Sequence, residues 1–150
     1  SYPDLPFYRR SVIFMVRLIM GSNGAGKTKQ LIELMNNAVA AENGSVVCIE
    51  PSADMTFSVS YNVRLVNAGE YNINSYECLR GLVCGLYAGN YDISHVFVDN
   101  LCKITGDNDL QAVEKFLGWL DRFSHTNSVK FTVTISADEE TATEGLKQYT

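Results

Sequence analysis

Along this chain, short continuous apolar runs alternate with stretches in which apolar residues recur every three or four positions. Val12-Ile13-Phe14-Met15-Val16-Arg17-Leu18-Ile19-Met20 is the first run, and Val16 to Met20 suffices for a first strand. From Lys27 the pattern turns helical. Leu31, Leu34, Met35, Ala38 and Val39 fall on one face, and Asn43-Gly44 is expected to close the helix. Val46-Val47-Cys48-Ile49 reads as a parallel strand covered on both sides and ended by Pro51, and Val63-Arg64-Leu65-Val66 as a weaker one. Asn74 with Glu77 forms a capping box for a second helix, whose inward positions are Tyr76, Leu79, Val83 and Leu86. Val96-Phe97-Val98 is the next strand. Asn108 and Gln111 repeat the capping signature before a third helix carrying Leu110, Val113, Leu117 and Leu120. Phe131-Thr132-Val133-Thr134-Ile135 is the last strand, alternating apolar and hydroxyl residues. Residues 138–149 are left as a short acidic-headed helix or a frayed end.

Strands alternating with helices predict an α/β fold: a single three-layer domain with a mainly parallel sheet of about five strands and right-handed crossovers. Ligands of such sheets bind beyond the carboxyl ends of the strands, so functional residues are expected there. Residues 1–14 stand apart, holding two of the three prolines and no regular period. They are expected to be a leader ahead of a natural start at Met15, or else an arm packed on the domain formed by 15–150.

Composition narrows the classes. A chain of 150 residues, 46% apolar, fills one core. Its formal charge of −5, with basic residues scattered and only Arg9-Arg10 adjacent, disfavours a general nucleic-acid surface, which needs clustered cations. Cys48, Cys78, Cys84 and Cys102 form no C-x-x-C pair and have no neighbouring histidine, which disfavours zinc. The first three lie in patterns that read as buried, and the set suits a reducing compartment. No apolar run approaches the roughly 20 residues of a membrane span, so a cytoplasmic protein without a membrane partner is expected.

The chemistry is concentrated at Gly21-Ser22-Asn23-Gly24-Ala25-Gly26-Lys27-Thr28, a complete G-x-x-x-x-G-K-[ST] octet. Glycines allow the backbone to fold tightly so that successive N–H groups face a polyphosphate, and the helix starting at Lys27 adds its positive end. Lys27 is expected to reach the β- and γ-phosphates of a nucleoside triphosphate, and the Thr28 hydroxyl to bind Mg²⁺. The bland alternative, a glycine turn with an incidental lysine, is disfavoured by the strand before the loop and the helix after it. Asp99, ending the strand His95-Val96-Phe97-Val98, is expected to hold the same Mg²⁺ through water, although an aspartate there also suits a turn cap.

The octet and the strand-ending aspartate resemble the P-loop nucleoside triphosphatase superfamily over residues 15–136. Neither an N-K-x-D base-reading motif nor the transporter signature L-S-G-G-Q occurs, so a small RecA-like core is implied. The nearest arrangement is that of the type II thymidine kinases. Where those enzymes carry K-P-x-x-D, this chain reads Glu50-Pro51-Ser52-Ala53-Asp54, and where they carry D-E-A-Q it reads Asp99-Asn100-Leu101-Cys102. The kinases' zinc-bound lasso has no counterpart in its cysteines. The resemblance implies ATP with Mg²⁺ as cofactors, Lys27 and Asp99 as catalytic groups, and Ser136, ending the neighbouring strand, as a γ-phosphate contact. A serine capping the 138–140 turn is the competing reading of Ser136. Asn100 replaces a carboxylate that would activate the attacking hydroxyl or water, and asparagine orients a nucleophile without accepting its proton. Glu50 and Asp54 are the substitute carboxylates, with a solvated loop as their plain reading. His95 and His125 read as surface residues.

Three functions follow as expectations: a slow or partner-activated ATPase or nucleotide switch, acting with a partner protein or a second copy; a nucleoside or nucleotide kinase; and an interaction module that keeps the loop for structure.

Overall fold

A computed structural model describes residues 15–55 and 58–150. The leader-or-arm segment 1–14 lies outside the described residues. Among them, five strands form one sheet: β1 (Val16–Gly21), β2 (Ser45–Glu50), β3 (Val63–Asn67), β4 (Ile93–Val98) and β5 (Lys130–Ser136). Their spatial order is β1-β5-β4-β2-β3, and every pairing is parallel. The helices are α1 (Lys27–Ala41), α2 (Tyr76–Gly89), α3 (Leu101–Thr105), α4 (Leu110–Asn127) and α5 (Glu144–Lys147).

Two apolar clusters separate three layers. On one side Leu31, Met35 and Ala38 of α1 pack on Val46, Cys48, Val63 and Phe97. On the other, Leu79 and Val83 of α2 and Val113, Phe116, Leu117 and Leu120 of α4 cover Val47, Ile49, Val96, Val98 and the apolar residues of β5. Successive strand side chains point to opposite faces, so a run such as Val46-Val47-Cys48-Ile49 supplies both clusters at once. The far edge of β1 is closed by the chain's last turn, where the Leu18 N–H donates to the Tyr149 carbonyl at 2.8 Å.

The element pattern agrees with the sequence in kind and differs in detail. Asn43-Gly44 does not close α1 in the left-handed way; Glu42 caps it in an extended conformation. Gly44 is needed for another reason, since a Cβ there would strike the Asp92 carbonyl and the Ser94 side chain. The caps predicted at Asn74 and Asn108 fall one residue later. The Ser75 hydroxyl accepts from the Cys78 N–H, and the Asp109 carboxylate from the Gln111 N–H. Residues 138–149 become a three-residue 3₁₀ turn and the single turn α5. Of the cysteines, only Cys48 is fully buried; Cys78 and Cys84 sit on the outer side of α2.

His95 is the largest departure from the expected surface placement. Its side chain is 15% exposed, stacked on Phe97 at 4.1 Å between ring centres. Nε2 lies 2.8 Å from the Thr132 hydroxyl, Nδ1 lies 3.4 Å from the Glu42 carboxylate, and Glu42 also accepts from Lys130 at 2.8 Å. The group ties the end of α1 to β4 and β5. Burial, aided by the Lys130 charge and opposed by Glu42, pushes the His95 imidazolium down to about 4 from 6.5. The folded state therefore holds neutral imidazole, while the unfolded chain takes up the proton first as pH falls. Stability should drop by up to about 3 kcal/mol between pH 6.5 and 4 on this account. Urea denaturation across that range should show the slope in the native chain and a shallower one in His95→Gln, which does not titrate.

Candidate active site

The glycine-rich loop of the octet follows β1 directly. Gly24 and Gly26 both have φ of +83°, a conformation that glycine adopts without strain. Gly21 is fixed by space instead: a Cβ there would sit 3.3 Å from the Ala25 Cβ and 3.4 Å from the Lys27 side chain. The loop turns through an Ala25 N–H bond to the Ser22 carbonyl. No side chain caps α1 at Gly26, so its first N–H groups are open toward the cavity described below. The Lys27 ammonium lies across the loop, donating to the Gly21 carbonyl at 2.7 Å and the Ser22 carbonyl at 2.8 Å.

Parallel register brings the other strand ends to the same edge. Gly21 of β1 lies beside Ser136 of β5, and β5 lies beside β4, which runs into Asp99. A cavity of about 300 Å³ opens there. Asn23, Gly24, Gly26, Lys27 and Thr28 line it from the loop, Asp99 and Asn100 from β4, and Thr134 and Ser136 from β5. Thus Lys27, Thr28, Asp99 and Ser136 meet at one cavity, from strands that are adjacent or once removed. Gly21, Ser22 and Ala25 shape the loop without lining that space. Ser136 is exposed, and Asp138 takes the cap position of the following turn instead.

Thr134 is the site residue that the sequence reading passed over. Its hydroxyl accepts from the Asn100 N–H at 2.8 Å and donates to Asp99 Oδ1 at 3.1 Å. It is 1% exposed, so both bonds are at least partly shielded from water. Burial raises the Asp99 carboxyl, while the Thr134 bond and the Lys27 charge hold it down. Asn100 itself is left-handed, with φ 53° and ψ 63°, and makes no side-chain cap bond to α3. Thr134→Val keeps the shape but leaves the Asn100 N–H without its acceptor. A loss of about 1–3 kcal/mol is expected in chemical denaturation, and Asp99 should titrate higher when followed by NMR.

Glu50 is not a solvated-loop residue. It is 2% exposed, and its Oε1 accepts from the Asp54 N–H at 2.8 Å and the Met55 N–H at 3.2 Å, folding the loop after β2 back on itself. Burial pushes its carboxyl up against those two bonds, with Asp54 and Asp99 adding repulsion. It stands outside the cavity lining, as does the exposed Asp54. The described residues hold no group of three or more His, Cys, Asp or Glu fit for a metal. One carboxylate and one hydroxyl nevertheless suit Mg²⁺, which takes few protein ligands and completes its shell with phosphate and water.

Comparison with known proteins gives a partial likeness. The chain is 26% identical over 76 residues to two proteins of Arabidopsis thaliana, the chloroplastic ATP-dependent RNA helicases DEAH12 and DEAH11. The match covers 47% of this chain and 4% of the length of each helicase. No family model matches. With the all-parallel sheet, the likeness supports a place in the P-loop superfamily and nucleotide binding in general terms. It does not support the thymidine kinase-like type. No helix among the described residues is long and apolar enough to cross a membrane.

Proposed function

We propose that this domain binds ATP with Mg²⁺ and hydrolyses it slowly, or only when a partner protein or second copy completes the site, so that it acts as a nucleotide switch. One observation carries the reading: the loop Lys27 and Thr28, the strand-ending Asp99 and the neighbouring Ser136 border one cavity at the carboxyl edge of the sheet. The donor set fits the ligand. Open N–H groups at the start of α1 and the Lys27 ammonium complement phosphate oxygens, and Thr28 with Asp99 complements a hard cation. When bound, the cation neutralises the phosphates and orients them. The protein's part is to position and desolvate; Asn100 directs a nucleophile by hydrogen bonding and leaves proton acceptance to water or to a group from outside.

The slow-turnover half of the proposal rests on what lines the cavity. Among the described residues, Asp99 is its only carboxylate and Lys27 its only cation. Calorimetric titration with ATP and Mg²⁺, followed by a phosphate-release assay on the same sample, tests the whole reading. Saturable, Mg²⁺-dependent binding with turnover far below once per second supports it. No binding of ATP would overturn it in favour of an interaction module. Phosphate delivered to an added nucleoside instead of water would favour a kinase.

A further inference from the structure

We propose that a cleft at the opposite end of the sheet, between α2 and the starts of β2, β3 and β4, is a second binding site for a small molecule carrying an anionic group on an apolar body. The cleft has a volume of about 450 Å³, within the range of small-molecule sites. Val47, Leu86 and Ile93 give it an apolar wall. Among the described residues, Arg64 is the one charged residue lining it. Arg64 pairs in register with Val47, on the face that α2 covers. Its side chain is exposed and belongs to none of the ion pairs among the described residues.

The cleft is widened by two places on α2 that carry no side chain. Gly85 and Gly89 line it, and nothing stands within 4 Å of a Cβ built on either. Neither has a positive φ, so backbone geometry does not require glycine at these places. Glycine weakens a helix interior relative to alanine, and among the described residues no packing offsets that for Gly85. Filling the space with a larger residue would leave Arg64 facing a side chain. Empty, it leaves a cation at the mouth of an apolar recess.

The occupant follows from those walls. A neutral apolar molecule would leave the guanidinium idle, and a fully hydrated anion would not use the Val47, Leu86 and Ile93 surface. A molecule of one or two rings with a carboxylate, sulfonate or phosphate satisfies both. Asn90 shapes the rim, its amide donating to the Ser45 hydroxyl at 3.3 Å and its carbonyl oxygen accepting from the Asp92 N–H, so Arg64 is the charged anion contact and the second Asn90 amide N–H a neutral one.

The probe is 8-anilinonaphthalene-1-sulfonate, which joins fused rings to an anion, titrated into the full chain and followed by fluorescence. The expected result is one saturable site that excess ATP with Mg²⁺ does not displace. Gly85→Met, which occupies the recess, should weaken binding at least tenfold without lowering the thermal midpoint. Arg64→Gln, on an exposed side chain, should weaken it about tenfold and serves where the first variant fails to fold. Unchanged affinity in Arg64→Gln, displacement by ATP with Mg²⁺, or binding without saturation would overturn the proposal. None of these outcomes bears on whether the phosphate loop binds ATP.

Discussion

Lys27→Ala should lower affinity for ATP by roughly 100-fold or more and leave the domain folded. Among the described residues the ammonium is the only cation lining the cavity, and it already bridges the Gly21 and Ser22 carbonyls across the loop. Hydrogen bonds to a charged group contribute about 1.5–3 kcal/mol each, so losing two to a triphosphate accounts for that factor. The apolar clusters do not include Lys27, so the thermal midpoint without nucleotide should change little. Calorimetry of the native and variant chains, with circular dichroism as a check on folding, measures both quantities. Equal affinity in the variant would remove Lys27 from the site. Lys27→Arg separates charge from shape: the guanidinium is planar and wider, with its donors fixed in a fork, and does not reproduce the compact ammonium's contacts, so recovery should be partial.

What could be read from residues alone depended on whether the cause was local. Glycine at positions 24 and 26 answers to a backbone angle, and a backbone angle restricts the residue at that position itself. The strands were legible because burial on both faces demands uninterrupted apolar runs, as in Val46 to Ile49 and Val96 to Val98. Thr134 was not. In a strand, alternating threonine is what β-propensity alone would produce, and nothing within Phe131 to Ser136 says that Asp99 and Asn100 will lie across from it. His95 failed for the same reason, and Glu50 for a local one. His95 is buried by Glu42 from the end of α1 and Lys130 from the start of β5, both remote in sequence. Glu50 is buried by the return of its own loop, which two backbone N–H groups hold in place. The helix caps were misplaced by a single residue because Asn74 and Ser75, like Asn108 and Asp109, offer equivalent side-chain acceptors, and tertiary packing chooses between them.

Asn100→Glu should raise the basal rate of ATP hydrolysis by about tenfold or more, without requiring stronger ATP binding. Asn100 lines the cavity beside Asp99, and its amide cannot accept a proton from an attacking water. General-base catalysis typically contributes about 10²–10⁴-fold, and the gain here should fall short of that because the surroundings were not shaped around a glutamate. Two features set the cost. Position 100 has φ 53°, which asparagine tolerates better than glutamate, so a stability loss of about 1 kcal/mol is expected. A second carboxylate beside Asp99, whose own carboxyl burial already raises, would push both upward and shift the gain toward higher pH. Steady-state phosphate release by the native and variant chains from pH 6 to 9, with ATP affinity measured in parallel, decides the matter. A rate that climbs with pH only in Asn100→Glu supports a missing base as the deficit. Unchanged turnover at preserved affinity would mean that the transition-state charge also lacks a partner. The four arginines of the described residues, Arg17, Arg64, Arg80 and Arg122, all lie outside the cavity lining, so none of these four is that partner.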